Sequence, residues 1–138
     1  MPKFFTLEEA TRALPDVEQT VRRLRRVREE AVTLRDQVEG KWTALEREAA
    51  SIDEIGKAQQ RLDALQEEFG ELVQRLEERG VILRDLDTGL VDFPTVAGRA
   101  EVYLCWRLGE PAIAFWHGLG EGYAGRKPVS ELPGSGAH

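Results

Sequence analysis

From Ile55 to Leu76 the apolar residues Ile55, Ala58, Leu62, Leu65, Phe69, Leu72 and Leu76 recur in alternating steps of three and four, without a fault. That is a heptad seam, and a helix carrying one must bury it against another helix. Ser51-Ile52-Asp53-Glu54 ahead of the seam is a capping box, which starts a helix. Gly80, directly after Arg79, is a helix stop. A second stripe precedes this one between about Pro15 and Ala50: Val17, Val21, Leu24, Val27, Ala31, Leu34, Val38, Trp42, Leu45 and Ala49. At 1.5 Å per residue the two helices would be roughly 50 and 40 Å long. The link at Ala49 to Ser51 is too short for anything but a reversal or a kink. The expectation is an antiparallel helical hairpin, its seam buried partly within the chain and partly against a second copy.

The ends of the helical part carry their own signals. Thr6-Leu7-Glu8-Glu9 is another capping box, and Phe5 before it is placed to staple onto Ala10 or Leu14. Pro15 disfavours helical geometry at Leu14, so a short first helix is expected to end there and a new one to begin at Pro15. The phase of the stripe slips at Val38–Trp42, around Gly40, where a bend is expected.

After Gly80 the period becomes strand-like. Val81-Ile82-Leu83 and Leu90 to Phe93 flank an Asp87-Thr88-Gly89 turn, and Pro94 is expected to end the second strand. Val102 to Leu108 and Ile113 to His117 flank Gly109-Glu110-Pro111. The fold class read from this order is α+β: a long, coiled-coil-like antiparallel helical hairpin, then a small four-stranded antiparallel sheet. Residues 1–132 read as a single domain, helical over 1–80, stranded over 81–117 and Gly/Pro-rich over 118–132, with 133–138 as a disordered tail.

The net charge of -6 argues against nonspecific binding to nucleic acid. One cysteine permits no intrachain disulfide, and a reducing compartment is the simplest setting. The N-terminal residues MPKFFTLEEA lack the apolar core of a signal peptide, and no run of about 20 apolar residues offers a membrane span. A cytoplasmic protein without membrane contact is expected.

The run GVILRDLDTGLVDFP (Gly80 to Pro94), then EVYLCWRLGEPAIAFWH (Glu101 to His117) and GYAGRKPV (Gly122 to Val129), resembles a group of uncharacterised bacterial proteins, domain of unknown function 2203. The opening FTLEEATRALP (Phe5 to Pro15) is similar to the start of that family. The resemblance spans nearly the whole chain and implies a bacterial, single-domain protein. It brings no activity and no site residues with it.

Chemistry, if any, should gather on the 101–117 hairpin. Alternation places Val102, Leu104, Trp106 and Leu108 on one face and Tyr103, Cys105 and Arg107 on the other. A loop of even length would add Ile113, Phe115 and His117 to the first face, and Ala114 and Trp116 to the second. That choice collects the large aliphatics in one core. It leaves Tyr103, Arg107 and Trp116, with Arg126 of the Gly-rich segment, as the candidate ligand-binding set. Under it Cys105 and His117 point opposite ways, which speaks against a Cys–His nucleophile. A metal site would draw on Glu110, His117 and Glu121, with Cys105 as a further ligand type. Asp85 and Asp92 read as solvent-facing strand residues, and Asp87 as part of a turn.

Gly120-Glu121-Gly122-Tyr123-Ala124-Gly125 matches a dinucleotide-binding glycine pattern, but Pro128 and Pro133 leave no room for the helix that pattern needs. Arg22, Arg23, Arg25, Arg26 and Arg28 form a basic cluster with Glu18, Glu29 and Glu30 at helical spacing, so a solvated helix flank outweighs weak nucleic-acid binding. The function read from all this is a non-enzymatic interaction or scaffold protein that forms a homodimer through its hairpin, with a further protein partner as an option. No cofactor is expected. The alternative is a small-ligand or metal-binding enzyme built on the mixed hairpin face and the Gly-rich loop.

Overall fold

The computed structural model describes residues 3–47 and 51–133. It contains two helices, α1 (Leu7–Glu46) and α2 (Ile52–Arg79), followed by five strands. These are β1 (Ile82–Asp85), β2 (Leu90–Ala97), β3 (Ala100–Arg107), β4 (Phe115–Gly118) and β5 (Lys127–Pro128). They make one antiparallel sheet in the order β1-β2-β3-β4-β5. The α+β class stands, with five strands instead of four. The added strand, β5, is two residues long, too short to carry an alternation that sequence could reveal. The chain divides into two compact units, Met1–Arg22 with Arg75–His138, and Arg23–Gln74. The expected link at Ala49 and most of the expected tail at 133–138 lie outside the described residues.

In the first unit the Thr6 capping box closes in both directions. The Thr6 N–H donates to Glu9 Oε1 at 2.9 Å, and the Glu9 N–H donates to Thr6 Oγ1 at 3.0 Å. Phe5 is buried. Its ring meets Phe93 of β2 edge-to-face, with centroids 5.3 Å apart, and its N–H donates to the Pro94 carbonyl at 2.7 Å. One correction concerns Pro15, which lies inside α1 rather than between two helices. It removes one amide donor, but Leu14, Val17 and Val21 on either side are buried in one stripe, and that packing carries the helix through. At the end of α2, Gly80 has φ +84°, and the N–H groups of Gly80 and Val81 donate to the carbonyls of Glu77 and Leu76. That is the Schellman stop.

One sheet face is made of Val91, Phe93 and Thr95 of β2 opposite Trp106, Leu104 and Val102 of β3, all buried. β2 passes through Pro94 instead of ending there. The Pro94 carbonyl turns away from β3 toward Phe5, so its absent N–H would have faced the same edge and no β2–β3 ladder bond is lost.

In the second unit Leu24, Val27, Val38, Ile55, Leu62 and Leu65 are buried. Ion pairs join Arg23 to Glu68, Arg61 to Glu30 and Lys41 to Glu54. Rising numbers on α1 meet falling numbers on α2, the mark of an antiparallel hairpin. α1 continues unbroken through Gly40, and the phase slip turns Trp42 outward, 52% exposed. Among the described residues no helix is long and apolar enough to cross a membrane.

Candidate functional site

The β3–β4 register pairs Tyr103 with His117, Leu104 with Trp116 and Cys105 with Phe115. This is the opposite of the even-loop expectation. Phe115 and His117 share a face with Tyr103 and Cys105, while Trp116 joins the row of Leu104. The turn explains the shift. The Arg107 N–H donates to Glu110 Oε1 at 2.7 Å, the Glu110 N–H returns to the Arg107 carbonyl, and Trp106 Nε1 donates to the Glu110 carbonyl. Glu110 thus fixes the loop geometry, and Gly109 between them takes φ +104°. Gathering aliphatics was the weaker consideration, because the other face holds a polar partner for His117.

That partner is Asp92. It lies opposite Cys105 in the β2–β3 register and is 1% exposed, not solvent-facing as its sequence context suggested. His117 Nε2 lies 3.0 Å from both carboxylate oxygens of Asp92. Arg84 of β1 donates from Nε to Asp92 Oδ2 at 2.8 Å, and this bond raises the arginine's already high pKa further. The other ring nitrogen, His117 Nδ1, lies 2.9 Å from the Gly118 carbonyl oxygen. Both ring nitrogens therefore face acceptors, and a neutral imidazole can donate to only one of them. Tyr103 leans over the group, its ring 5.4 Å from that of His117 and 4.9 Å from the Arg84 guanidinium carbon.

Cys105 completes the group from β3. Burial, and then the neighbouring Asp92 charge, push its thiol up to about 12. A thiol held protonated is a poor nucleophile. Among the described residues, the ligand-type atoms of Asp92, Cys105 and His117 all lie within 4.8 Å of one another, and all three residues are buried.

The remaining expected site residues are spread around this cluster. Arg126 is 92% buried at its side chain by difference from 8% exposure, stacks 4.0 Å from the Phe115 ring centre and 4.6 Å from that of Tyr123, and pairs with Glu110 at 2.6 Å. Its Nε has no hydrogen-bond partner among the described residues. Arg107 reaches the Tyr123 hydroxyl at 3.3 Å. Tyr123 is thus shared by Arg107 and Arg126, whereas Tyr103 belongs to the Asp92 group. Trp116 donates from Nε1 to the Pro128 carbonyl, with Lys127 over its ring. Glu121 accepts from the Gly118 N–H and from Lys127, and these bonds, Lys127 foremost, lower its pKa. Of Glu110, His117 and Glu121, only His117 enters the three-residue cluster. The glycine-rich stretch forms a short 3-10 turn, Tyr123–Gly125. At the β1–β2 turn, Asp85 accepts from the Asp87 N–H and the Thr88 hydroxyl.

Asp92 and Arg84 were missed as site residues. A usable signal was present: Asp92 is the one charged residue of a strand that is apolar on both faces around it, at Leu90, Val91, Phe93 and Pro94.

The sequence profile of an uncharacterised conserved protein family, DUF2203, matches residues 3–129. The chain belongs to this family. No curated protein and no solved structure matches it.

In this family member the hairpin unit carries a second candidate surface. Val27, Ala31, Val32, Leu62, Leu65 and Phe69, together with Arg28, Arg35 and Gln66, line a groove of about 250 Å³. Val32 is 42% exposed there. Within the arginine cluster, Arg22 is engaged by Glu18 and Arg23 by a two-bond fork to Glu68.

Proposed function

We propose that this DUF2203 chain is a non-enzymatic interaction protein that forms a homodimer through its helical hairpin. The observation that carries this reading is the open apolar groove beside the seam, with Val32 and Trp42 exposed on the same unit. A two-helix hairpin has only two layers. Pairing two copies into a four-helix, coiled-coil-like bundle is the economical way to cover a second apolar stripe. A second copy presents the same groove, which suits an isologous two-fold interface. A different protein partner is the other occupant this surface would accept.

A Cys–His nucleophile has less support, because the Cys105 thiol is held protonated and buried. Nucleic-acid binding has less support as well, given the carboxylate partners of Arg22 and Arg23. A cytoplasmic setting fits the single cysteine.

The test is light scattering on the full chain at micromolar concentration. The expected mass is twice 15.5 kDa. Val32→Glu places a carboxylate between Arg28 and Arg35 at helical spacing, which favours the monomer's own helix. It should halve the mass while leaving the circular dichroism unchanged. A wild-type mass of a single chain, or a Val32→Glu dimer, would overturn the reading.

A further inference from the structure

We infer that Asp92, Cys105 and His117 bind one divalent transition-metal ion of zinc's chemical class, held between β2, β3 and β4. The inference concerns the sheet and stands independently of how the hairpin associates.

The ligand set is a thiol, an imidazole and a carboxylate, the three side-chain types that zinc takes. Three protein ligands with a fourth position for water is the arrangement of open zinc sites. Softness points the same way: sulfur and imidazole favour zinc or cobalt over magnesium or calcium.

Geometry agrees. With metal–ligand bonds of about 2.0–2.3 Å, tetrahedral ligands lie roughly 3.3–3.8 Å from one another. Here Nε2 of His117 is 3.0 Å from both Asp92 oxygens, and all three ligand atoms fall within 4.8 Å. An ion would need shifts of only a few tenths of an ångström on the nitrogen–oxygen side. The residues sit on three hydrogen-bonded strands, with Asp92 opposite Cys105 and His117 opposite Tyr103. Rigid elements hold such a constellation better than loops do.

The surroundings of the ligands are also those of a metal site. The Gly118 carbonyl, 2.9 Å from His117 Nδ1, can accept from an Nδ1–H, so an ion on Nε2 would leave the other ring nitrogen satisfied. In the metal-free ring the Asp92 carboxylate, 3.0 Å from Nε2, is the stronger acceptor and takes the hydrogen bond of an Nε2–H. Arg84 occupies Asp92 Oδ2 from outside and leaves Oδ1 for the ion. One thiolate and one carboxylate bring two negative charges to the divalent cation, with the Arg84 guanidinium adding a positive charge outside them. On binding, the Cys105 S–H bond breaks, a sulfur–metal bond forms, and the proton goes to water. The proton on Nε2 gives way to the nitrogen–metal bond: in a neutral ring it passes through water to Nδ1, which then donates to the Gly118 carbonyl.

The test uses the full chain, stripped with a chelator, and Co²⁺ as the probe. A thiolate-to-cobalt charge-transfer band should appear and saturate at one ion per chain. Zn²⁺ should abolish the band and raise the melting temperature. Cys105→Ser is close to isosteric and should lose the band; His117→Gln should weaken Zn²⁺ uptake by about tenfold or more. Glu121→Gln, outside the ligand set, should behave as wild type. Absence of a thiolate band in folded wild-type protein would overturn the inference. So would a band that survives in Cys105→Ser, or Zn²⁺ binding equal in wild type and both ligand variants.

Discussion

Removing the carboxylate of Asp92 strands two partners at once, His117 at 3.0 Å and Arg84 at 2.8 Å. A buried polar group left without its partner, here the His117 ring, costs about 1–3 kcal/mol. Asp92→Ala should therefore lower the unfolding free energy measured in urea by about that much, and a loss under about 0.5 kcal/mol would mean the network holds nothing together. Cys105 gives a second handle, in metal-free protein. The folded thiol titrates at about 12, against 9.0 for an unperturbed one. Between those values the unfolded chain has lost a proton that the folded chain retains, so stability falls as pH rises through the window. Cys105→Ala should lack that alkaline loss, as read from melting temperatures from neutral pH upward. Sequence placed Asp92 on a strand and gave its alternation. It could not say that the strand's second face would be covered, because the cover comes from Arg84, Tyr103, Phe115 and Arg126, held there by pairing between strands.

At the level of elements, local signals were the legible ones. The Thr6 capping box forms as read, and at the second box Ser51 Oγ accepts from the Glu54 N–H. Gly80 stops α2. The prolines misled, because Pro15 and Pro94 were judged by the bonds they cannot make. Each sits where that bond is outweighed by packing or faces away from the neighbouring strand. The β3–β4 register was illegible for a different reason, since a side chain, Glu110, sets the loop. Gly89 shows how tightly the neighbouring turn is packed. It has φ +68°, and a Cβ there would lie 2.5 Å from Leu108 Cβ. Gly89→Ala should destabilise by about 2 kcal/mol or more in chemical unfolding, combining left-handed backbone strain with overpacking. A neutral result would mean the turn can open without disturbing Leu108.

For the whole molecule, the heptad seam was the most informative stretch. Ile55, Leu62, Leu65 and Leu76 are buried within one chain, so an intact seam alone does not demand a second copy. The proposed second copy rests on what the seam leaves over, the exposed Val32 and Trp42. Periodicity marks which residues want cover; it does not say whether the same chain supplies it. Cys105 is buried and its thiol is held protonated, so a cysteine introduced on the surface can be spin-labelled alone. A label at Asp36→Cys, exposed and one helical turn from Val32, reports on the hairpin directly by pulsed electron–electron double resonance. The account predicts a defined distance between the labels of two chains, lost when Val32→Glu is added. Background decay alone, at the concentration used for light scattering, would contradict it.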